Sequence, residues 1–289
     1  MVPSWTDCTS GHIGPNSPYH GWMKHYQRIR VERTGAREKI TLAYAKRRNA
    51  IGPRMTNELL HALADARADE AVRVVVITGE GSVFSAGGDF AQMPLGGDSL
   101  HPAPVGEPTL APKGDYADLL LALLRFDKPV IARVNGHALG SGLGLVAACT
   151  FSVALKSAQL GLPEVTVGLF PMMVMSLLAR IVPRRRLFDM MLLGHKIDAE
   201  EAARIGLVGQ VADPGELDEA IRDIETQLLQ KSALTVRLGL RAFAAQEDIA
   251  LEKALPMLRE HFAACLATDD AREGLMAFLE KRVPVWTDR

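Results

Sequence analysis

Cysteine is scarce: the 289-residue chain holds three, Cys8, Cys149 and Cys265. Residues so few and so scattered do not frame a disulfide-stapled fold or a zinc site, so a reducing, cytoplasmic compartment is the expectation. Neither sign of charge is in excess, with 33 Lys and Arg against 34 Asp and Glu and a formal net charge of −1. That balance gives no electrostatic reason to expect nucleic acid or an anionic membrane as a partner. With 25 Gly and 16 Pro, the chain falls well short of the roughly 25–30% that marks low complexity. The opening MVPSWTDCTSGHIGPNSPYHGW has no basic start, apolar stretch or small-residue cleavage site, so no secretory leader is expected. Residues 134–155 carry no charge, but Asn135, His137, Ser141, Thr150, Ser152 and four glycines interrupt them. They read as a buried loop, helix and strand rather than a membrane crossing. Familiar motifs are missing too: no Gly-Lys pair for a P-loop and no His-Glu-x-x-His. Ser141 lacks the Gly-x-Ser-x-Gly spacing of a nucleophile elbow.

What is present is ordinary globular material, 48% hydrophobic and 23% charged, in one large domain or two. Tyr26–Arg33 and Glu38–Tyr44 alternate as paired strands around Thr34-Gly35. Pro53 opens an amphipathic helix through Ala68, with Met55, Leu59, Leu60 and Leu63 on one face. Val72–Thr78 is a β-branched run and reads as a buried strand. Residues 94–114 repeat Pro and Gly without periodicity, as a binding loop or a disordered insertion would. A helix over Tyr116–Phe126 leads into a strand at Pro129–Val134, and the order of strand, glycine-rich turn and helix is met near Gly87 and again near Gly142. That alternation predicts an α/β layout with largely parallel strands. After Glu200 the pattern predicts helices, Leu217–Lys231 and Leu251–Arg282, with no strong strand signal. The expected division is a draped extension over 1–25, a core over 26–199 and a helical region over 200–289. Apolar surface on those late helices is expected to be covered by another subunit.

Gly142-Leu-Gly144-Leu-Val-Ala147, with Glu164 beyond it, has the spacing of a dinucleotide fingerprint. The context rejects it. Asn135–Ser141 separate the glycines from the strand, and Pro163 beside Glu164 cannot donate to a central ladder. His137 beside the turn reads as a packing or hydrogen-bonding residue. More informative are Phe84-Ser-Ala-Gly-Gly-Asp89 and Asn135-Gly-His-Ala-Leu-Gly-Ser-Gly142, where glycines follow a β run and precede a helix. Helix starts leave N–H groups free, and glycines let a ligand oxygen approach them. Two such turns aimed at one carbonyl make an oxyanion hole, although each alone also serves plain tight packing.

From about Arg28 to Val285 the chain resembles the crotonase superfamily, the enoyl-CoA hydratase/isomerase group. The matching stretches are Arg48-Asn-Ala50, Val74–Asp89, Lys128–Gly140, Leu162-Pro-Glu164, Ala199–Val208 and Phe278–Arg282. The resemblance implies a spiral core of repeated ββα units and a helical C-terminal region that builds homotrimers, often paired into hexamers. It also implies an acyl-CoA thioester substrate, with coenzyme A entering as part of that substrate and no further cofactor or metal. Matched residue by residue, the oxyanion amides fall on Gly88 and on Ser141, where a glycine is more usual. The adenine end of coenzyme A falls near Lys46, Arg47, Ala50, Ala86 and Phe90.

Hydratases of this family use two glutamates. One matches Glu164; at the other position stands Gly144, which has no side chain. The glycine-rich segment that follows Glu164 in the family is replaced by Gly168–Met175, whose three methionines shape an adaptable acyl pocket or simply start a buried helix. Hydration requires both a base for water and an acid for C2, whereas moving a double bond requires one carboxylate and a hole for the enolate. A lone Glu164 therefore favours isomerisation. Hydration remains open if Glu107, Asp115 or Asp118 enters the site. Decarboxylation or thioester hydrolysis at the same hole, and a non-catalytic coenzyme A-binding protein, are the other readings.

Overall fold

The computed structural model describes residues 25–92, 94–95, 98–99 and 110–289. The extension over 1–24, much of the 94–114 loop and Glu107 lie outside the described residues. The expected hairpin forms from β1 (Ile29–Thr34) and β2 (Arg37–Leu42), antiparallel in register from Ile29↔Leu42 to Thr34↔Arg37. Helix α1 (Pro53–Ala68) starts at its proline and ends where expected. It buries Met55, Leu59, Leu60 and Leu63, as the apolar stripe requires.

The strand expected from Val72 begins two residues later, as β3 (Val74–Gly79), because the Val72 N–H turns back to the Asp69 carbonyl. Next come β4 (Val83–Ser85) and a small antiparallel pair, β5 (Pro94–Leu95) with β6 (Asp98–Ser99). Helix α2 (Tyr116–Leu124) leads to β7 (Val130–Val134), β8 (His137–Leu139) and helix α3 (Ser141–Ala148). A further round brings β9 (Phe151–Leu155), β10 (Gln159–Gly161), a 3₁₀ turn over Pro163–Val167, then α4 (Met172–Leu178) and α5 (Arg184–Leu192). The chain continues through β11 (Lys196–Asp198), α6 (Ala199–Arg204), β12 (Gln210–Ala212) and α7 (Leu217–Leu229). It closes with α8 (Ala233–Gln246), α9 (Leu251–Leu266) and α10 (Asp269–Glu280).

From β3 to β10, the β5/β6 pair apart, successive strands alternate between two sheets, and this produces the spiral of ββα units. The larger sheet runs β1-β2-β3-β7-β9-β12 and is parallel except for the β1/β2 hairpin. The smaller runs β11-β10-β8-β4, parallel except for β10/β11. Both faces of the larger sheet are covered. Val75, Ile77, Ala132 and Ala154 point into the main core, while Val74, Val76, Ile131 and Val153 meet Leu217, Ala220 and Ile221 of α7. Two-sided burial explains why β3 is an unbroken β-branched run rather than an alternating one.

The C-terminal third departs from expectation in three ways. A strand, β12, lies beyond Glu200 and completes the larger sheet, so the sheet extends past residue 199. It is three residues long, too short to carry a periodic signal. The Leu251–Arg282 run is broken at Thr268, whose hydroxyl accepts from the Ala271 N–H at 3.1 Å and starts a second helix. Helix α8 has no counterpart in the sequence reading, and it buries no residue of its own. Its Arg241 donates to buried Asp127 at 2.8 and 2.5 Å, pinning the helix to the end of α2. Phe262, Phe278 and Leu279 stand exposed on α9 and α10. Among the described residues, no helix is long and apolar enough to cross a membrane.

Candidate active site

The first glycine turn follows β4 and is clamped by the segment before α1. Ile51 donates to the Gly87 carbonyl at 2.8 Å and accepts from the Asp89 N–H at 3.0 Å. Those bonds use the atoms on either side of Gly88, so the Gly88 N–H is left facing away from the bridge. Gly87 holds φ +108°, a conformation that a side chain strongly disfavours. Asn49 stiffens the turn from behind: its amide donates to the Glu80 and Val83 carbonyls at 2.9 and 2.8 Å, and the Ser85 hydroxyl donates to its backbone carbonyl at 2.8 Å.

The second turn is Gly140, at φ +50°, followed by Ser141 as the first residue of α3. The N–H groups of a first helical turn have no intrahelical acceptor, so the Ser141 amide is free to bind an oxygen. The two turns touch. A Cβ on Gly140 would lie 3.5 Å from the Gly87 Cα, and one on Gly142 only 2.6 Å from the Ser85 Cβ. Gly88 and Ser141, matched separately from the sequence, are therefore brought side by side.

Glu164 completes the group. It sits in the Pro163–Val167 turn, buried, two residues after the fully buried Leu162. A Cβ on Gly140 would come within 2.6 Å of the Glu164 Oε1, so the carboxylate lies against the second turn and glycine is required there. Its Oε2 has no hydrogen-bond partner among the described residues. Burial raises its pKa above the ordinary carboxylate value, with only its own backbone N–H opposing. An ionised carboxylate so poorly solvated is a competent base.

The space that a side chain at Gly144 would need is occupied. A Cβ there would fall 2.3 Å from the Tyr116 hydroxyl oxygen and 3.0 Å from the Val174 Cγ2. The Tyr116 hydroxyl donates to the Ser141 carbonyl at 2.5 Å. Burial pushes the phenol pKa up, and the charge on Glu164 pushes it further. Sequence reasoning missed Tyr116, which reads there only as the start of a helix. The side chain crosses from α2 to α3, a contact with no signature in chain spacing. Asp115 and Asp118 are corrected as candidate second acids: they form the capping box of α2, and Asp118 is exposed. Asp115 accepts from the Ala117 and Asp118 N–H groups at 2.8 and 3.2 Å, while Asp118 accepts from the Asp115 N–H at 2.9 Å.

The residues matched to the adenine end of coenzyme A form one rim. Ala86 donates to the Arg48 carbonyl at 2.9 Å and Ala50 to that of Arg47 at 3.0 Å, which seats Lys46 and Arg47 beside the first glycine turn. Both cations are exposed, as is Phe90, whereas Ala50 is buried. The methionines after Glu164 divide: Met172 and Met173 are largely exposed on α4, and Met175 packs on the core. His137 accepts the Gln159 N–H at its Nδ1, 3.0 Å away, a hydrogen-bonding role as expected. The rejected dinucleotide fingerprint stays rejected, since β8 stands between β7 and the glycines of α3. Among the described residues, no cluster of His, Cys, Asp or Glu is arranged to hold a metal ion.

Comparison with known proteins meets this geometry. A model of the enoyl-CoA hydratase/isomerase family matches residues 33–289. The chain is 34% identical over 271 residues to the carnitinyl-CoA dehydratase of Escherichia coli strain K12, spanning 90% of this chain and 98% of that protein. The structure resembles that of an enoyl-CoA hydratase from Mycobacterium smegmatis with a TM-score of 0.81 and 31% identity, covering 90% of this chain and 99% of that one. It resembles human enoyl coenzyme A hydratase domain-containing protein 3 with a TM-score of 0.81 and 29% identity, over 90% of this chain and 100% of that one.

Proposed function

This chain belongs to the enoyl-CoA hydratase/isomerase family, and we propose that it moves the double bond of an enoyl-CoA thioester through an enolate, with Glu164 as the only proton shuttle. The N–H groups of Gly88 and Ser141 receive the thioester oxygen. As Glu164 removes a proton from C2 of a 3-enoyl thioester, negative charge moves onto that oxygen and the two amides hold it. Each such donor contributes ~3–4 kcal/mol of transition-state stabilisation. The Glu164 carboxyl then returns the proton to C4, leaving the double bond at C2–C3. The reaction needs no cofactor beyond the coenzyme A carried by the substrate, whose phosphates meet Lys46 and Arg47.

The observation that carries this reading is the pairing of a buried Glu164 carboxylate, whose Oε2 has no hydrogen-bond partner among the described residues, with a filled Gly144 position. Hydration is the second reading, favoured by the hydratase and dehydratase names of the relatives. It would need a second acid or base, and the capping-box role of Asp115 and Asp118 argues against those two. The test is to assay 3-enoyl-CoA isomerisation and 2-enoyl-CoA hydration side by side, on the wild type and on Glu164→Gln. Isomerisation should be the faster, and the variant should lose it while binding acyl-CoA within a few-fold of wild type, because the hole is backbone. Faster hydration in the wild type, or full isomerase activity in the variant, would overturn the proposal. The same reading includes assembly into homotrimers or hexamers through the apolar faces of α9 and α10, in a cytoplasmic setting consistent with free Cys149 and Cys265.

A further inference from the structure

Behind the site lies a crevice of about 760 Å³ between α2, α3, α4 and α8. That volume is in the range of small-molecule sites. Its walls are mostly apolar, with Leu120, Leu124, Ala148, Leu177 and Phe243 among them. Arg180 donates from Nη2 to both carboxylate oxygens of Asp248 at 3.0 Å and forms part of its rim. The crevice adjoins the site along the chain. Its lining includes Ala117, next to Tyr116; Ala147, one helical turn beyond Gly144; and Met173, next to Val174. Tyr116, Gly144 and Val174, which meet one another, thus stand between residues of the site and residues of the crevice lining. Tyr116 is held across that gap by its 2.5 Å bond to the Ser141 carbonyl. Gly144 is what makes room for the phenol, since any Cβ would collide with it.

We infer that Tyr116 is the chain-length determinant of this enzyme: it closes the acyl end of the site, restricts the wild type to short acyl groups, and keeps long apolar tails out of the crevice behind it. The inference rests on the acyl-CoA reading above and adds the substrate class. The hydroxyl fixes the ring's position, but the ring itself is the barrier. Removing only the hydroxyl should leave the barrier in place, whereas removing the ring should open the way to an apolar compartment large enough for a long chain.

The experiment measures affinity for saturated acyl-CoA thioesters from butanoyl to hexadecanoyl by calorimetry, and kcat/KM for the matching 3-enoyl series. Wild type, Tyr116→Phe, Tyr116→Ala and Val174→Ala are compared. The wild type should favour the short end by about tenfold or more, and Tyr116→Phe should keep that ratio. Tyr116→Ala should raise the long-to-short ratio at least about tenfold, and Val174→Ala should move it in the same direction by less. A wild type that handles the two ends equally would overturn the assignment, as would an unmoved ratio in a folded Tyr116→Ala. Should Tyr116→Ala not fold, the wild-type profile and Val174→Ala decide. Absence of binding at every length would sink the acyl-CoA reading together with this one, whereas tight but length-independent binding would sink this one alone.

Discussion

Replacing Gly144 with alanine, a single methyl group, tests how tightly Tyr116 is held. The new Cβ would sit 2.3 Å from the phenol oxygen, well inside contact distance. The oxygen has little freedom to yield, because it is bonded to the Ser141 carbonyl at 2.5 Å. Accommodation means moving the ring and giving up that bond. Overpacking of a tight core costs ~1–3 kcal/mol, and a lost hydrogen bond adds ~1 kcal/mol. Against this, alanine gains up to about 1 kcal/mol over glycine in a helix. The net expectation is destabilisation of roughly 2 kcal/mol, read from chemical denaturation midpoints. The mechanism is exposed by a double-mutant cycle. In a Tyr116→Phe background the nearest ring atom to that Cβ is at the 3.4 Å position and the tightest contact left is the Val174 Cγ2 at 3.0 Å, so Gly144→Ala should then cost about 1 kcal/mol less than in the wild type. An equal cost in both backgrounds would refute the steric argument, as would a neutral Gly144→Ala in the wild type. By the same geometry, Gly144→Glu cannot restore a second carboxylate while Tyr116 keeps its place.

Further outcomes follow from charge and burial. Glu164 must be ionised to take a proton, so isomerase activity should rise with pH through a midpoint above the ordinary glutamate value, since burial raises its pKa; a midpoint below that value would contradict the burial argument. Glu38 is pushed up to about 7, chiefly by burial and secondarily by Asp65 and Asp69, with Arg33 and Lys128 opposing. The folded state then holds a proton that the unfolded chain has released, so stability falls as pH rises from about 4.5 to 7. After allowance for solvent screening that loss is on the order of 1–2 kcal/mol, and Glu38→Gln should flatten the pH–stability curve over this interval; an unchanged slope would refute it. Lys46→Ala with Arg47→Ala should weaken acyl-CoA binding several-fold and reduce its salt dependence, because exposed cations act through screened phosphate contacts. Unaltered affinity at low salt would remove them from the binding rim.

The sequence by itself determined what depends on near neighbours along the chain. Pro53 and the Met55–Leu63 stripe set α1, and the β-branched run set β3. The two glycine turns disclosed their free amides simply by standing between a β run and a helix. The ordered matches to one superfamily then assigned Gly88, Ser141 and Glu164 to a common site. Only the tertiary structure decided what fills the missing position. Tyr116 and Gly144 are far apart in sequence and meet because α2 packs on α3, a contact that no periodicity encodes. The capping-box fate of Asp115 and Asp118, the edge strand β12 and the crevice under α8 were hidden for the same reason. Periodicity tells which face of an element is buried, while the partner it is buried against, and the space left between them, is set by how all the elements pack at once.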